Sequence, residues 1–215
     1  MPYRLIASTS SSFTSKSVGS MGSFFNLFRN ILAFIGLVTV GGGIVLYGYG
    51  QQATRLFDDQ FVLLFSQFVE QILKKDVASA MIVRTALEKG VTIEQAVKSI
   101  KLYANQLNLK FIAHYPLHKE IENITGKKAR FIEIFEFCDA QVASLLLEHN
   151  SDFAGYLPYR IVLYEEPQGR MWLATLNMEL FIHGSQNLDL ESKKQALKIQ
   201  DNLLKIMGAG ASGAL

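Results

Sequence analysis

Acidic residues are missing from the N-terminal part of this sequence. No Asp or Glu precedes Asp58, although Arg4, Lys16, Arg29 and Arg55 do. Over the whole chain the formal net charge is only +2, and charged residues make up 19%. This near-neutral balance indicates neither the basic stripe typical of nucleic-acid-binding domains nor a polyacidic tail. The N-terminal part is therefore a separate compositional zone.

Cysteine is nearly absent as well, because Cys138 is the only one in the chain. A single cysteine excludes an internal disulfide and any multi-cysteine zinc or iron–sulfur cluster within one chain. Four histidines are present without a recognisable metal-ligand spacing. They are His114, His118, His149 and His183. We therefore predict no metal and no cofactor.

Familiar catalytic motifs are also missing. The sequence contains no P-loop, no H-E-x-x-H and no G-x-S-x-G. Gly208, Gly210 and Gly213 do spell G-x-G-x-x-G, but they follow a helical pattern at the end of the sequence rather than a strand. We therefore predict that residues 208–215 form a flexible tail rather than a nucleotide site.

What the chain does contain is one long apolar run. Residues 31–49 read ILAFIGLVTVGGGIVLYGY without a charge, and a helix of this length rises roughly 29 Å, enough to cross a hydrocarbon core. Arg29 precedes the run, and Tyr47 and Tyr49 lie at its far end as interfacial anchors. We predict a flexible Ser-rich N-terminus at 1–23 and a transmembrane helix at 24–50.

Other interpretations of this run are a buried core helix, a cleaved signal peptide and an organellar transit peptide. The residues after the run, GYGQQA, offer a poor cleavage site, which favours an uncleaved anchor in the cell membrane. Lys16 and Arg29 precede the run, whereas only Arg55 lies just after it. This small excess of basic residues before the run favours a single-pass protein with its C-terminal domain on the periplasmic side. Gly41, Gly42 and Gly43 indicate either a close partner helix or simple tolerance of glycine in lipid.

An amphipathic connector helix is predicted at 51–77. Asp58 and Asp59 are typical of a helix start, and Lys74 and Lys75 of a last turn. Apolar residues recur between them at helical spacing. They are Phe61, Leu64, Phe65, Phe68, Val69, Ile72 and Leu73. This face could lie on the bilayer, pair with a second copy or, most commonly for such a face, dock on the adjoining domain.

The remaining residues, 78–207, read as one α+β domain. A strand is predicted at 80–85, followed by a helix that Thr92 and Gln95 cap reciprocally, a strand at 110–114 and a loop at 118–128. The run FIEIFEF then predicts a covered strand in which Glu133 and Glu136 point to opposite faces. Asp139 caps the next helix. At the end of that helix, His149 is placed where a cation is favoured and Asn150 where a left-handed residue is favoured. Two hairpin strands at 159–165 and 171–176 and a helix at 190–207 follow.

Three segments of this domain carry a resemblance. FIEIFEFCDAQVASLLL, GYLPYRIVLYEE and MWLATLN resemble the bacterial and archaeal family called domain of unknown function 302. The resemblance covers roughly residues 79–207, although here the acidic turn is shortened and contains a proline. It implies a TATA-binding-protein-like curved antiparallel sheet with helices on one face, often in a dimer. It implies no established reaction.

Two classes of function remain open from the sequence. The favoured one is a non-catalytic, membrane-anchored accessory subunit or binding module, which contacts a membrane protein complex or a second copy through Tyr156, Tyr159, Arg160 and Trp172. The alternatives are a thiol-dependent redox enzyme or sensor that uses Cys138, or a small-ligand-binding domain. Cys138 follows a strand and precedes a helix, where a thiol can be activated, but Asp139 and Glu136 disfavour the thiolate. A packed, unreactive Cys138 is therefore the preferred interpretation.

Overall fold

The structure is a computed structural model that describes residues 19–56 and 59–214, with the side chains of 19–25, 28, 51–56 and 59 left out. The chain divides into two compact units, Met1–Ala53 and Thr54–Leu215. The expected lead-in at 1–23 lies mostly outside the described residues, and its last five residues are helical.

The first unit is dominated by one long helix. Helix α1 covers Gly19–Leu56, and its 22-residue segment Arg29–Gly50 has a mean hydropathy of 2.1. Such a segment is long and apolar enough to cross a membrane. A Cβ added at Gly41, Gly42 or Gly43 would meet nothing within 4 Å in the described chain. These glycines therefore have room for an approaching helix.

The second unit is an α+β domain built on a five-stranded, fully antiparallel sheet in the order β1-β5-β4-β3-β2. The strands are β1 (Ile82–Ala86), β2 (Lys110–Tyr115), β3 (Ile132–Cys138), β4 (Tyr159–Glu165) and β5 (Met171–Leu176). The helices are α2 (Asp59–Lys74), α3 (Val77–Ala80), α4 (Ile93–Gln106), α5 (Leu117–Thr125), α6 (Ala140–His149), α7 (Glu179–Gly184) and α8 (Leu190–Ser212), and a 3₁₀ segment covers Ser151–Tyr156. The α+β class and the curved antiparallel sheet agree with the sequence prediction.

One face of the sheet holds the core. Strand β3 alternates strictly, so that Phe135 and Phe137 are buried while Ile134 and Glu136 are only partly covered. Phe135, Ile161, Leu163 and Leu173 are all 0% exposed on the buried side, where helices α4 and α8 contribute Ile100, Leu203 and Ile206 to the same cluster. We call this side the covered face and its opposite the open face.

Helix starts follow the predicted capping chemistry. The Gln95 backbone N–H donates to Thr92 Oγ1 at 3.2 Å, and the Thr92 N–H donates to Gln95 Oε1 at 2.9 Å. This reciprocal pair is a capping box. Asp139 Oδ1 accepts from the N–H groups of Gln141 and Val142 at 3.0 and 3.1 Å. The first-turn donors of α4 and α6 are thereby satisfied by their own sequence.

The end of the chain differs from the prediction. Residues 208–212 were expected in a flexible tail, but α8 continues to Ser212 and ends at Gly213 in a left-handed conformation. A Cβ at Gly210 would lie 2.7 Å from Ile100 Cγ1 and 3.0 Å from Leu173 Cδ1. The glycine that read as a tail signal therefore lets α8 approach the core closely.

Smaller differences occur at helix ends and loops. Residues 117–125 form α5 rather than the predicted loop, and α7 was not predicted. The expected left-handed residue Asn150 is extended, with φ −154, and its side chain accepts from Asp152 N–H to start the 3₁₀ segment. Asn150 thus serves the following turn instead of closing α6.

Candidate functional site

The open face of the sheet carries several charged and aromatic side chains, among them Arg84, Glu136, Arg160 and Trp172. Its members come from alternate positions of neighbouring strands, and the cross-strand register places Arg84 beside Ala174, Ala174 beside Val162 and Glu136 beside Arg160. Since side chains two positions apart share a face, Ile134 and Cys138 belong to the same surface. This face is the natural place to look for a site, because the covered face is filled.

A cavity of about 310 Å³ opens where β4 begins and β5 ends. We call it the end cavity. Tyr156, Tyr159 and Arg160, three of the four side chains predicted from the sequence as contacts, line it together. The other lining residues are apolar or small: Ile82, Gly155, Pro158, Val162, Ala174, Thr175, Leu176, Met178 and Leu203. The structure therefore brings three separate sequence predictions to one place.

Arg160 is the one charged residue among those that line the end cavity. Its backbone is fixed because Thr175 Oγ1 donates to the Arg160 carbonyl at 2.7 Å. Its side chain is exposed, and within the described ranges no hydrogen bond or ion pair holds its guanidinium. Glu136 is its cross-strand neighbour but forms no ion pair with it. A free cation thus stands at the mouth of an otherwise apolar cavity.

The two tyrosines play different parts at this cavity. The Tyr156 ring packs 4.7 Å from Phe181 and 6.1 Å from Phe153, measured between ring centroids. Tyr159 is only 3% exposed, and its hydroxyl is buried without a partner in the described part of the chain. Burial raises the pKa of Tyr159, and nearby Cys138 and Asp139 raise it further. Tyr159 is therefore a neutral phenol at physiological pH.

Trp172, the fourth predicted contact, lies elsewhere on the open face. The guanidinium groups of Arg84 and Arg170 both lie over its ring, with their carbons 4.4 and 4.5 Å from the ring centroid. Arg84 also donates to Glu166 Oε1 at 2.9 Å. A hydrogen bond with Tyr164 raises the pKa of Arg84, and Glu166 contributes in the same direction. Trp172 thus makes two cation–π contacts within the domain.

A second cavity, of about 490 Å³, lies between α2 and the open face. We call it the α2 cavity. Leu64 and Phe68 of α2 line one side, and Ile82, Arg84 and Tyr164 of the sheet line the other. Helix α2 is held against α7 at Gly184, where an added Cβ would lie 2.8 Å from Phe61 Cε2. The predicted docking of this helix on the domain is therefore observed for one of its sides.

Cys138 ends β3 on the open face and is partly buried. Burial raises the pKa of its thiol, Asp139 raises it further, and Lys110 acts in the opposite direction. A raised pKa lowers the thiolate fraction that a nucleophile needs. Glu136 shares the face of Cys138 as the alternation predicted, but Asp139 is the carboxylate that acts on the thiol.

One polar pair was missed by the sequence analysis. His114 Nε2 lies 2.8 Å from Glu133 Oε2, and the His114 ring stacks on Phe135 at 4.7 Å. His118 Nδ1 bonds instead to the Ile132 carbonyl at 3.0 Å. The alternation of side chains along β3 indicated from the sequence that Glu133 faces away from Glu136. Its partner His114 could be found only from the pairing of β2 with β3. Among the residues that the structure describes, no cluster of three potential metal ligands occurs.

The comparisons with known proteins address the domain. The model of the family "domain of unknown function DUF302" matches residues 83–209, which is more than half of the chain. The chain belongs to the DUF302 family. A crystal structure of an uncharacterized conserved DUF302 protein from Bacillus stearothermophilus is similar, with a TM-score of 0.51 and 16% identity, and the match covers 60% of this chain and 97% of that one. A search of curated proteins gave no match.

The DUF302 match confirms the resemblance seen in the sequence and establishes the fold. It includes the end cavity residues Tyr156, Tyr159 and Arg160, whereas α1, α2 and α3 precede the matched range. The α2 cavity is therefore built partly from residues outside the range that the DUF302 model matches.

Proposed function

We propose that this protein is a membrane-anchored, non-catalytic binding module, an accessory subunit of a larger membrane protein complex, with its DUF302 domain on the periplasmic side. The observation that supports this role most directly is the surface of α2. Two apolar stripes run along this helix, and only one of them is used inside the domain.

The inner stripe of α2 faces the domain. It consists of Phe61, Leu64, Phe68 and Ile72, all partly buried. The outer stripe is adjacent and consists of Val62, Phe65, Val69 and Leu73, which are 54%, 48%, 37% and 82% exposed. Their spacing of three, four and four residues places them on one side of the helix. Four large apolar side chains in a row are more than an isolated exposed hydrophobic, which needs no explanation.

A partner helix fits the outer stripe better than a lipid surface does. Helices that lie on bilayers typically have basic residues along the polar face. The polar side of α2 instead carries Glu70 and Lys74, which pair with each other. Spacing of three and four residues is typical of packing between helices. We therefore assign the outer stripe to an apolar helix of another membrane protein.

The apolar helix upstream supports the same role. Only residues 51–58 separate Gly50, the end of the apolar segment, from the start of α2. If the segment spans the membrane, this short connection tethers α2 and the domain to the bilayer surface. Gly41, Gly42 and Gly43 would then allow a helix of the same partner to approach within the membrane.

Site-specific photo-crosslinking in native membranes tests the proposal. A photoreactive amino acid is placed at Leu73 in the outer stripe, and in a matched variant at Leu63, which is 59% exposed but lies on the polar side of α2. We expect an adduct with a different membrane polypeptide from position 73 and none from position 63. The adduct should disappear when Val69 is also changed to Gln.

Each other outcome counts against the accessory-subunit role. An adduct of twice the chain's own mass would show that the outer stripe contacts a second copy. Lipid adducts alone would show that it lies on the bilayer. Equal adducts from positions 63 and 73 would show that the stripe has no specific partner.

A further inference from the structure

We infer that the end cavity is a binding site for a small organic monoanion with an apolar body, of the arylalkyl carboxylate class. This inference goes beyond the accessory-subunit role and does not depend on it, since every residue that lines the cavity except Ile82 lies within the matched range 83–209. Its basis is the combination of apolar walls with a single free guanidinium.

The volume and the lining of the cavity determine the size and the apolar character of the ligand that fits it. A volume of about 310 Å³ lies at the lower end of the range for small-molecule sites, which is about 300–1,000 Å³. Ile82, Val162, Ala174 and Leu176 provide apolar side chains from three neighbouring strands. Tyr156 adds an aromatic ring at the rim. A single ring or a short branched chain fits such a space, whereas a nucleotide would exceed it.

The charge at the mouth sets the polar group of the ligand. Arg160 is the one charged residue among the lining residues, and a guanidinium binds a carboxylate through two parallel N–H donors. Arg84, on the same face, is already engaged by Glu166 and Trp172. Arg160 has no such partner within the described ranges. The charge-assisted bonds of this guanidinium therefore remain available to a ligand.

Glu136 is the charged group that opposes the ligand. It lies directly across the strand pair from Arg160, so that its carboxylate repels an incoming anion while leaving the guanidinium unbonded. Removing this charge should strengthen binding, whereas removing the Arg160 charge should weaken it. Opposite effects from two neighbouring charges are a signature that nonspecific hydrophobic binding cannot produce.

The position of the site is rigid on the protein side. Arg160 belongs to β4, which pairs with β3 and β5 on its two sides. The bond from Thr175 to the Arg160 carbonyl fixes its backbone at the cavity. A cation placed on a doubly paired strand is held more precisely than one on a loop. The cavity therefore needs little rearrangement to accept a ligand.

The test uses the full-length protein in nanodiscs with 4-fluorophenylacetate as the probe, observed by fluorine NMR, and empty nanodiscs as the blank. We expect saturable binding that is about tenfold or more weaker in Arg160→Gln, since loss of a charge-assisted pair has at least this effect. Glu136→Gln should bind about two- to threefold more tightly. The matched control Arg170→Gln, which removes an exposed arginine outside the cavity, should bind like the wild type. Circular dichroism confirms that each variant is folded.

Two further probes define the ligand class. The neutral amide 4-fluorophenylacetamide should bind about tenfold or more weakly than the acid, because it lacks the charge that pairs with Arg160. Inorganic phosphate should not displace the acid, because it has no apolar body. Equal binding of acid and amide, unchanged binding in Arg160→Gln, or no saturable binding of the acid would each overturn the inference. Photo-crosslinking from Leu73 would be unaffected by these results, so the two proposals fail separately.

Discussion

The two faces of one sheet are used in opposite ways. On the covered face, Phe135, Ile161 and Leu163 are 0% exposed under α4 and α8. On the open face, Ile82 is 40% exposed, and Arg84, Glu136 and Arg160 stand among apolar neighbours. Because side chains alternate along a strand, adjacent residues point to opposite faces, one to the covered face and the other to the open face.

This difference separates stability from binding within single strands. Close packing around Phe135, Ile161 and Leu163 leaves no room for a ligand at the centre of the covered face, so substitutions there should act on folding. The open face retains two cavities and the free guanidinium of Arg160. Substitutions there should act on binding while the fold tolerates them. Paired variants of adjacent residues can break or sharpen this contrast.

The largest effect is expected for Phe135→Ala. Truncation of a fully buried Phe removes apolar contacts and leaves a cavity, which lowers the free energy of unfolding by about 3–5 kcal/mol. Its neighbour Ile134 is only partly buried on the open face, and Ile134→Ala should lower it by about 1–2 kcal/mol. Denaturant titration followed by the fluorescence of Trp172, the single tryptophan in the chain, measures both. Equal losses from the two variants would remove the distinction between the faces.

An intermediate effect is expected for Gly210→Ala. The added methyl would overlap Ile100 and Leu173, and such overpacking lowers the free energy of unfolding by about 1–3 kcal/mol. Gly208→Ala is the matched control in the same helix, because a Cβ there meets nothing within 4 Å. Alanine has the better helix propensity, so the control should be neutral or more stable by up to about 1 kcal/mol. If both variants behaved alike, the close approach of α8 to the covered face would be wrong.

Much of this fold was predictable because its signals are local. The capping box at Thr92 and Gln95 and the cap at Asp139 involve residues two or three positions apart. The alternation of β3, with Glu133 and Glu136 on opposite faces, likewise follows from strand geometry alone. Local chemistry of this kind does not depend on what the rest of the chain does.

The features that were missed depend on contacts between distant residues. The pairing of His114 with Glu133 required the register of β2 against β3. The end of α8 was misplaced because glycine commonly ends a helix, whereas Gly210 lies where α8 packs so closely that an added Cβ would meet Ile100 and Leu173. Tyr156, Tyr159 and Arg160, predicted as contacts, line one cavity, but no sequence signal indicated that Arg84 and Arg170 would lie over the Trp172 ring.

The smallest expected effect concerns the thiol at the open-face end of β3. Burial raises the pKa of Cys138, Asp139 raises it further and Lys110 lowers it, so alkylation by iodoacetamide should be slow near neutral pH and should speed up as pH rises. Asp139→Asn removes the negative charge but keeps an N-cap acceptor for α6. Its alkylation rate at pH 8 should be about two- to fivefold higher, with the pH profile moved to lower pH.

Two variants complete this measurement. Lys110→Gln should raise the pKa of the Cys138 thiol and slow its alkylation, because it removes the one cation that lowers this pKa. Glu136→Gln should leave the rate unchanged, since Glu136 is not among the groups that shift this thiol. An alkylation rate that does not change in the Asp139→Asn and Lys110→Gln variants would mean that burial alone raises the pKa of Cys138. A wild-type thiol that reacts rapidly at pH 7 would instead revive the redox alternative and place chemistry, as well as binding, on the open face.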